Sequence, residues 1–295
     1  MRKVLKWIGG GIVILLMILI IIRYFSSSSI SNRKYDTLKS EVTETINETE
    51  IEIIQETTHE VESISPETEV ALETSEPEES TEVETEIEAE ADEQYLSDYI
   101  DYNPNLLVDY QKLKSINNDY RGWLNIPDTK VSYPVPQGID NNYYLHKLFE
   151  TQQYEYAGSL YIDAYSTKLE DQDNLIIYGH NMRNGTMFGD LKKFKEKSFF
   201  DTHPYIEFYT ENEKRVYLIF SIRTIKSNIN SLNYQLDEFD IQDYINKAIA
   251  ESEHSRDIDT KTNGFESNPY SQIISLSTCV GDTSKRLLVS GIRIK

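Results

Sequence analysis

One thiol, five imidazoles and two late arginines are the groups in this chain whose types and spacing could do covalent chemistry. Cys279 is the only cysteine among 295 residues. It ends the apolar run Gln272-Ile-Ile-Ser-Leu-Ser-Thr-Cys279. A thiolate attacks carbonyl carbon, but an unperturbed thiol with a pKa of about 8.5 is mostly protonated at neutral pH. A catalytic cysteine therefore needs a neighbouring base or cation, and without one it is a small buried hydrophobe.

The histidines are His59, His146, His180, His203 and His254. His59 falls in a polar, acidic stretch, His254 follows a helix in polar surroundings, His203 precedes Pro204 at a turn, and His146 reads as surface. His180 differs: it closes the apolar strand Leu175-Ile-Ile-Tyr178 after Gly179, where a side chain can face a cleft. The cationic candidates are Arg286 and Arg293, both in the last strand. Seven residues separate them, so in a regular strand they point to opposite faces and only one can face the thiol.

These residues need a scaffold, and the pattern of residues 96–295 supplies one. Leu106, Tyr110, Leu113 and Ile116 recur at helical spacing and predict an opening amphipathic helix. Eight short runs rich in β-branched and aromatic residues follow, bounded by Gly, Pro, Asn or Asp: 120–126, 131–135, 158–163, 174–180, 205–210, 215–222, 272–279 and 286–294. Glu211-Asn212-Glu213 reads as a tight hairpin turn. Phe188, Leu191 and Phe194 share a face of a short helix, and Ile241, Ile245 and Ile249 share a face of a helix over 239–252. The expected fold class is mainly β: a closed eight-stranded barrel with helices on its outside.

The remainder of the chain is organised by charge. Trp7 to Ile22 carries no charge, flanked by Arg2, Lys3 and Lys6 before it and Arg23 after it. Such a segment covers about 24 Å as a helix, against roughly 30 Å of hydrocarbon. Residues 7–25 are expected to be a transmembrane signal-anchor, with residues 1–6 cytoplasmic and everything after exported. A cleaved signal peptide is the competing reading, but the apolar run is longer than a usual h-region. The net charge of −21 is local: residues 41–95 hold 21 acidic residues and no Lys or Arg, and the rest of the chain balances at 29 and 29. Nucleic-acid binding therefore has no support. Residues 26–95 read as a disordered acidic linker, spanning roughly 45 Å or more, that holds the domain clear of a bilayer.

Residues 96–295 resemble a sortase, and within that family a class B sortase. The resemblance rests on Gly122-Trp-Leu-Asn-Ile-Pro127, Tyr133-Pro-Val-Pro-Gln-Gly138, Asp140-Asn-Asn-Tyr-Tyr-Leu145, Ile176-Ile-Tyr-Gly-His-Asn-Met182, Gly185-Thr-Met-Phe-Gly-Asp190 and Leu276-Ser-Thr-Cys279. It implies a sortase-type barrel and a membrane-anchored cysteine transpeptidase on the Gram-positive cell surface. Cys279 matches the nucleophile, His180 the histidine and Arg286 the arginine. Asn141, Leu145 and Ser277 match positions that contact the sorting peptide, and Tyr178 is a further wall residue. The implied partners are exported proteins with a C-terminal sorting signal and an amine of the cell wall or a pilin lysine; no cofactor or metal is implied. The loop Val280-Gly-Asp-Thr-Ser-Lys285 departs from the acidic or aromatic residue that class B enzymes carry soon after the cysteine. Two other readings use the same residues: a peptidase in which water resolves the thioacyl intermediate, and an inactive tethered binding module.

Overall fold

The computed structural model of the chain describes residues 32–45, 102, 104–166, 174–227, 241–258, 272–280 and 282–295. The expected membrane segment and most of the expected linker lie outside them. Among the described residues no helix is long and apolar enough to cross a membrane.

All eight expected strands are present, and one sheet joins them. The strands are β1 Thr43–Thr45, β2 Leu106–Val108, β3 Tyr120–Asn125, β4 Ser132–Pro136, β5 Tyr161–Ile162, β6 Asn174–Tyr178, β7 Tyr205–Tyr209, β8 Lys214–Lys226, β9 His254–Ser255, β10 Ile273–Val280 and β11 Asp282–Arg293. The order β4-β3-β7-β8-β11-β10-β6-β5 forms the sheet. A bridge between Gln137 and Ile162 brings its two ends together, so the barrel is nearly closed. Every pairing along the path is antiparallel except β6 with β10. The closed interior is filled by alternate strand residues, among them Leu124, Val135, Leu175, Ile177, Phe208, Ile219, Ile274, Leu276 and Val289. On the outside, a helix over Ile241–Ala250 covers part of β8, β10 and β11 through Tyr244, Ile245 and Ala248. The stretch carrying Phe188, Leu191 and Phe194 is a 3₁₀ helix over Gly189–Lys195 with all three rings or chains buried. The hairpin at 211–213 forms as expected, with Thr210 N–H donating to the Glu213 carbonyl at 2.9 Å.

Three expectations need correction. The opening helix is shorter than its apolar spacing predicts: it runs over Tyr110–Ile116, capped by Asp109 Oδ1 at 2.9 Å from Lys112 N. Leu106 lies before it in β2. Second, the last strand starts at Asp282, so Arg286 lies within it, and pairing with β10 jumps from Cys279–Arg286 to Val280–Asp282.

The third correction concerns the linker. Residues 32–42 form a helix, and its continuation β1 pairs with β2. Tyr35, Leu38 and Val42 are buried against the barrel. The Tyr35 hydroxyl donates to the Gly158 carbonyl at 2.9 Å, and its ring meets the edge of Tyr133 with centroids 5.3 Å apart. Residues 32–45 are therefore part of the domain, because three large apolar side chains and a hydroxyl find partners there. Thr45 sits opposite Leu106 in the β1–β2 register. Before Leu106, Tyr102 already stacks on Tyr205 with centroids 3.9 Å apart.

This topology is tested by two changes to the full chain, read by urea denaturation. Deleting residues 48–98 shortens the chain that joins the paired strands β1 and β2, and the expected change in closure entropy stabilises the fold by about 1.5 kcal/mol. Tyr35→Ala, in a segment the linker reading treats as unstructured, costs about 3 kcal/mol. A fold indifferent to Tyr35→Ala would remove residues 32–42 from the domain.

Candidate active site

Adjacent strands bring the three expected catalytic positions to one level of the sheet. In the parallel pairing of β6 with β10, Tyr178 lies opposite Ser277, and Gly179 N–H donates to the Ser277 carbonyl at 3.2 Å. His180 follows at once. On the other side of β10, Cys279 is the register partner of Arg286. The end of β6, position 279 and Arg286 therefore occupy three neighbouring strands at the same height. Cross-strand partners share a face, so the alternation that puts Leu276 and Leu287 inside the barrel places positions 277, 279, 286 and 288 on the outer face. Below them, Ile176, Leu288, Tyr178 and Ile225 form a small apolar cluster on that face. Arg293 is at the opposite end of β11, about 23 Å along the strand at 3.3 Å per residue. Its guanidinium bonds Glu213 at 2.6 Å, so the choice between the two arginines is decided by position.

His180 is held by a loop rather than by a carboxylate. Its Nε2 lies 2.9 Å from the Leu145 carbonyl. A carbonyl only accepts, so Nε2 carries the proton and Nδ1 is the nitrogen left to exchange one. Two rings pack against the imidazole, His146 at 5.0 Å and 23° and Tyr156 at 5.6 Å and 17°, and they also contact each other at 5.7 Å, so the three rings form one cluster. Burial lowers the His180 pKa below the ordinary histidine value; the Leu145 carbonyl opposes this, while the charges of His146 and Arg286 add to it. The Arg286 guanidinium thus acts electrostatically on the His180 ring.

The loop is anchored on a buried carboxylate. Asp163, fully buried, accepts from the Tyr178 hydroxyl at 2.9 Å, from Asn141 Nδ2 at 2.9 Å and from Tyr165 N–H at 2.8 Å. The Asn141 carbonyl oxygen accepts from Ala164 N–H at 2.7 Å. Asn141 and Tyr178, expected to meet a peptide, are thus tied into the fold through the same carboxylate. Leu145 is half-buried and offers its carbonyl to His180. Ser277 is buried on the face of position 279, and its hydroxyl has no hydrogen-bond partner. An unbonded hydroxyl at that depth costs roughly 1–3 kcal/mol.

Two glycines make this packing possible. A Cβ at Gly179 would collide with Leu160 and Phe188, which lets β6 press close to the core just before His180. Gly158 has φ of +57°. A Cβ there would be driven into the Leu145 carbonyl, the group that orients His180.

The residues that sequence reasoning missed are His146, Tyr156 and Asp163. His146 was read as surface, but it is half-buried against His180. The other histidines stay apart from the site. His203 caps the helix over Lys197–Thr202 through Nδ1 and the Phe199 carbonyl at 3.0 Å. His254, expected to be solvated, is half-buried in β9 and bonds the Lys195 carbonyl at 2.7 Å. His59 lies outside the described residues. Among the described residues no three His, Cys, Asp or Glu are grouped so as to hold a metal ion.

Comparison with known proteins agrees on one relationship. The family model described as a sortase domain matches residues 124–293, a span that contains every expected site residue. The chain is 33% identical over 205 residues to sortase B of Listeria monocytogenes, covering 67% of this chain and 79% of that one. The crystal structure of Clostridium perfringens sortase B superposes with a TM-score of 0.55 at 33% identity, over 63% of this chain and 99% of the other. A Staphylococcus aureus sortase B–substrate complex superposes with a TM-score of 0.57 at 26% identity, over 71% and 94%.

The role of the Leu145 carbonyl is checked by Gly158→Ala. The substitution strains a left-handed backbone and costs about 1–3 kcal/mol. Because the carbonyl must move, the pH at which the His180 ring titrates should move with it, followed through histidine Cε1–H resonances. An unshifted resonance would mean that the carbonyl does not govern that ring.

Proposed function

The chain belongs to the sortase family, as a class B cysteine transpeptidase, and from that premise we propose that it joins exported proteins carrying a C-terminal sorting motif to an amine of the cell wall through a thioacyl intermediate. The observation that carries this reading is the strand register that brings the end of β6, position 279 and Arg286 to one level. In the proposed reaction the Cys279 thiolate adds to the carbonyl carbon of the motif threonine. The oxygen becomes an oxyanion, which the planar Arg286 guanidinium stabilises with help from a backbone N–H. As the peptide C–N bond breaks, His180 gives the proton on Nδ1 to the leaving amine. A thioester remains on Cys279. The acceptor amine attacks it, loses a proton to His180, and releases the thiolate as the new amide forms. Atoms and charge balance without any other reactant.

The polarising groups fit this cycle. The carbonyl at Nε2 fixes the tautomer so that Nδ1 exchanges the proton, a task an aspartate performs in other nucleophilic enzymes. Arg286 disfavours a second cation on His180, so the protonated ring readily gives its Nδ1 proton to the leaving amine. Asn141, Leu145, Tyr178 and Ser277 are proposed to line the path of the sorting peptide, with the unpartnered Ser277 hydroxyl as its polar contact on β10.

The proposed location is the outer face of a Gram-positive cell membrane, anchored by residues 7–25. With residues 32–42 docked on the barrel, six residues would separate the end of that anchor from the domain. The enzyme would then meet its substrates close to the bilayer.

Incubating the protein with peptides containing Asn-Pro-x-Thr or Ser/Asn-Pro-x-Thr-Gly, the two motif types associated with class B, plus an excess amine tests the reaction. Amine-linked product is expected; cleavage at a rate and with products indifferent to the amine would make the enzyme a hydrolase instead. Cys279→Ala should form no thioacyl adduct by intact mass. Arg286→Lys should lose on the order of 10²–10³ in kcat, because a point charge does not replace a planar fork. Arg293→Ala should cost stability through Glu213 and leave the chemistry in place; the opposite ranking of the two arginines would overturn the assignment of Arg286.

A further inference from the structure

His146 is, among the described residues, the one other imidazole packed against His180, and the proposed reaction leaves it without a task. It belongs to the loop whose Leu145 carbonyl holds His180, and it is fixed from the other side as well. Its Nδ1 lies 3.0 Å from the Tyr156 carbonyl, and its ring is 5.7 Å and 29° from the Tyr156 ring. Since that carbonyl can only accept, Nδ1 carries a proton. Tyr154 packs against the same ring at 5.7 Å and 38°. A backbone bridge between Lys147 and Tyr154, with Glu155 N–H on the His146 carbonyl at 3.0 Å, ties the two loop segments together.

We infer that His146, together with Tyr156, is a positioning residue for the acyl-transfer reaction: the two rings, packed against each other and against the His180 imidazole, restrict its plane, and His146 puts an ionisable ring in contact with it. The inference rests on the catalytic role proposed above for His180.

The geometry allows each half of the task. The Leu145 hydrogen bond fixes one atom of the ring but leaves it free to rotate about the Nε2–O line. Two rings packed against it, both within about 25° of its plane, restrict that freedom. Holding a proton donor in its productive plane is what converts proximity into rate. The electrostatic half follows from like charge: a protonated His146 disfavours a proton on His180, in the same direction as Arg286. Among the described residues, the other ionisable groups of these loop segments have partners of their own. Glu155 accepts from Tyr156 N–H at 3.0 Å. Lys147 is drawn onto the Tyr143 ring at 3.6 Å. Asp163 sits behind Tyr178.

A charge and shape series at position 146 separates the two effects in the full-length enzyme. The readouts are the pH profile of kcat/KM for ligation and the titration of the His180 Cε1–H resonance. His146→Phe keeps the ring and removes the charge, so the His180 titration and the limb of the profile that depends on it move to higher pH. His146→Glu moves both further in the same direction. His146→Ala removes one of the two supporting rings, and kcat at the plateau falls on the order of tenfold with KM little changed. Tyr156→Ala repeats that loss without the charge effect. Should His146→Phe and His146→Glu leave the His180 titration where it is, and His146→Ala leave the plateau intact, the inference is wrong. His180→Ala keeps the two levels apart: ligation that survives it overturns the catalytic role itself. If His180→Ala abolishes ligation while the position-146 series changes nothing, only the role of His146 is lost.

Discussion

The parallel ladder between β6 and β10 is the constraint on which the rest of the site depends. Parallel neighbours cannot be joined by a tight turn, so the chain must travel from one to the other by a long crossover. Here that crossover holds β7, β8, β9 and the helix over Ile241–Ala250, which complete the barrel and cover its outer face. Closing the barrel and placing His180 beside position 279 are therefore the same event. A slip of one residue between β6 and β10 would put Leu276 and Ile177 on the outside and bury the site positions. The apolar filling of the barrel, with Leu175, Ile177, Ile274 and Leu276 all buried, makes that slip expensive. Core packing thus enforces the catalytic register.

A second chain of contacts reaches the same imidazole from the opposite direction. Tyr35, in the helix over 32–42, bonds the carbonyl of Gly158. Gly158 has no side chain because it packs against the Leu145 carbonyl, and that carbonyl holds Nε2 of His180. Four residues from four parts of the sequence form one continuous support. Because each link is a backbone group or a residue with a single acceptable conformation, the support is stiff. The electrostatics are arranged around it with the same economy. The interior carboxylates are saturated by donors: Asp163 by Tyr178, Asn141 and Tyr165, and Glu207 by Asn125, Tyr209 and Tyr102. Burial alone would raise the Glu213 pKa, but bonds from Arg293 and Arg215 outweigh it and hold the carboxyl below its usual range. Each of these carboxylates has its partners within the fold, and the carboxylate at the site reaches His180 only through the loop it anchors.

Much of this was legible in the sequence. Strands announce themselves by β-branched and aromatic runs between turn residues, and the eight barrel strands fall where those runs lie. The lone cysteine, the histidine at the end of an apolar strand and the resemblance over residues 96–295 named the chemistry. What sequence missed was long-range in nature. Helical spacing placed Leu106 on a helix because periodicity cannot register that β1 is available to pair with it. Low hydrophobicity and high charge made 26–95 look uniform, although residues 32–45 carry Tyr35, Leu38 and Val42, enough apolar surface to dock once a barrel exists to receive them. His146 looked like an ordinary surface residue because nothing in Tyr143-Tyr144-Leu145-His146 shows that His180 folds back over it.

The sequence by itself determined which groups could react, which segments would be strands, and where the acidic charge lies, because those properties belong to single residues and their near neighbours. Only the tertiary structure decided which arginine lies opposite the cysteine position, which carbonyl sets the histidine tautomer, and that residues 32–45 pack on the barrel. Those depend on register and on contacts between residues far apart in the chain. Such contacts acquire an energy only when the barrel closes and the apolar faces are buried together.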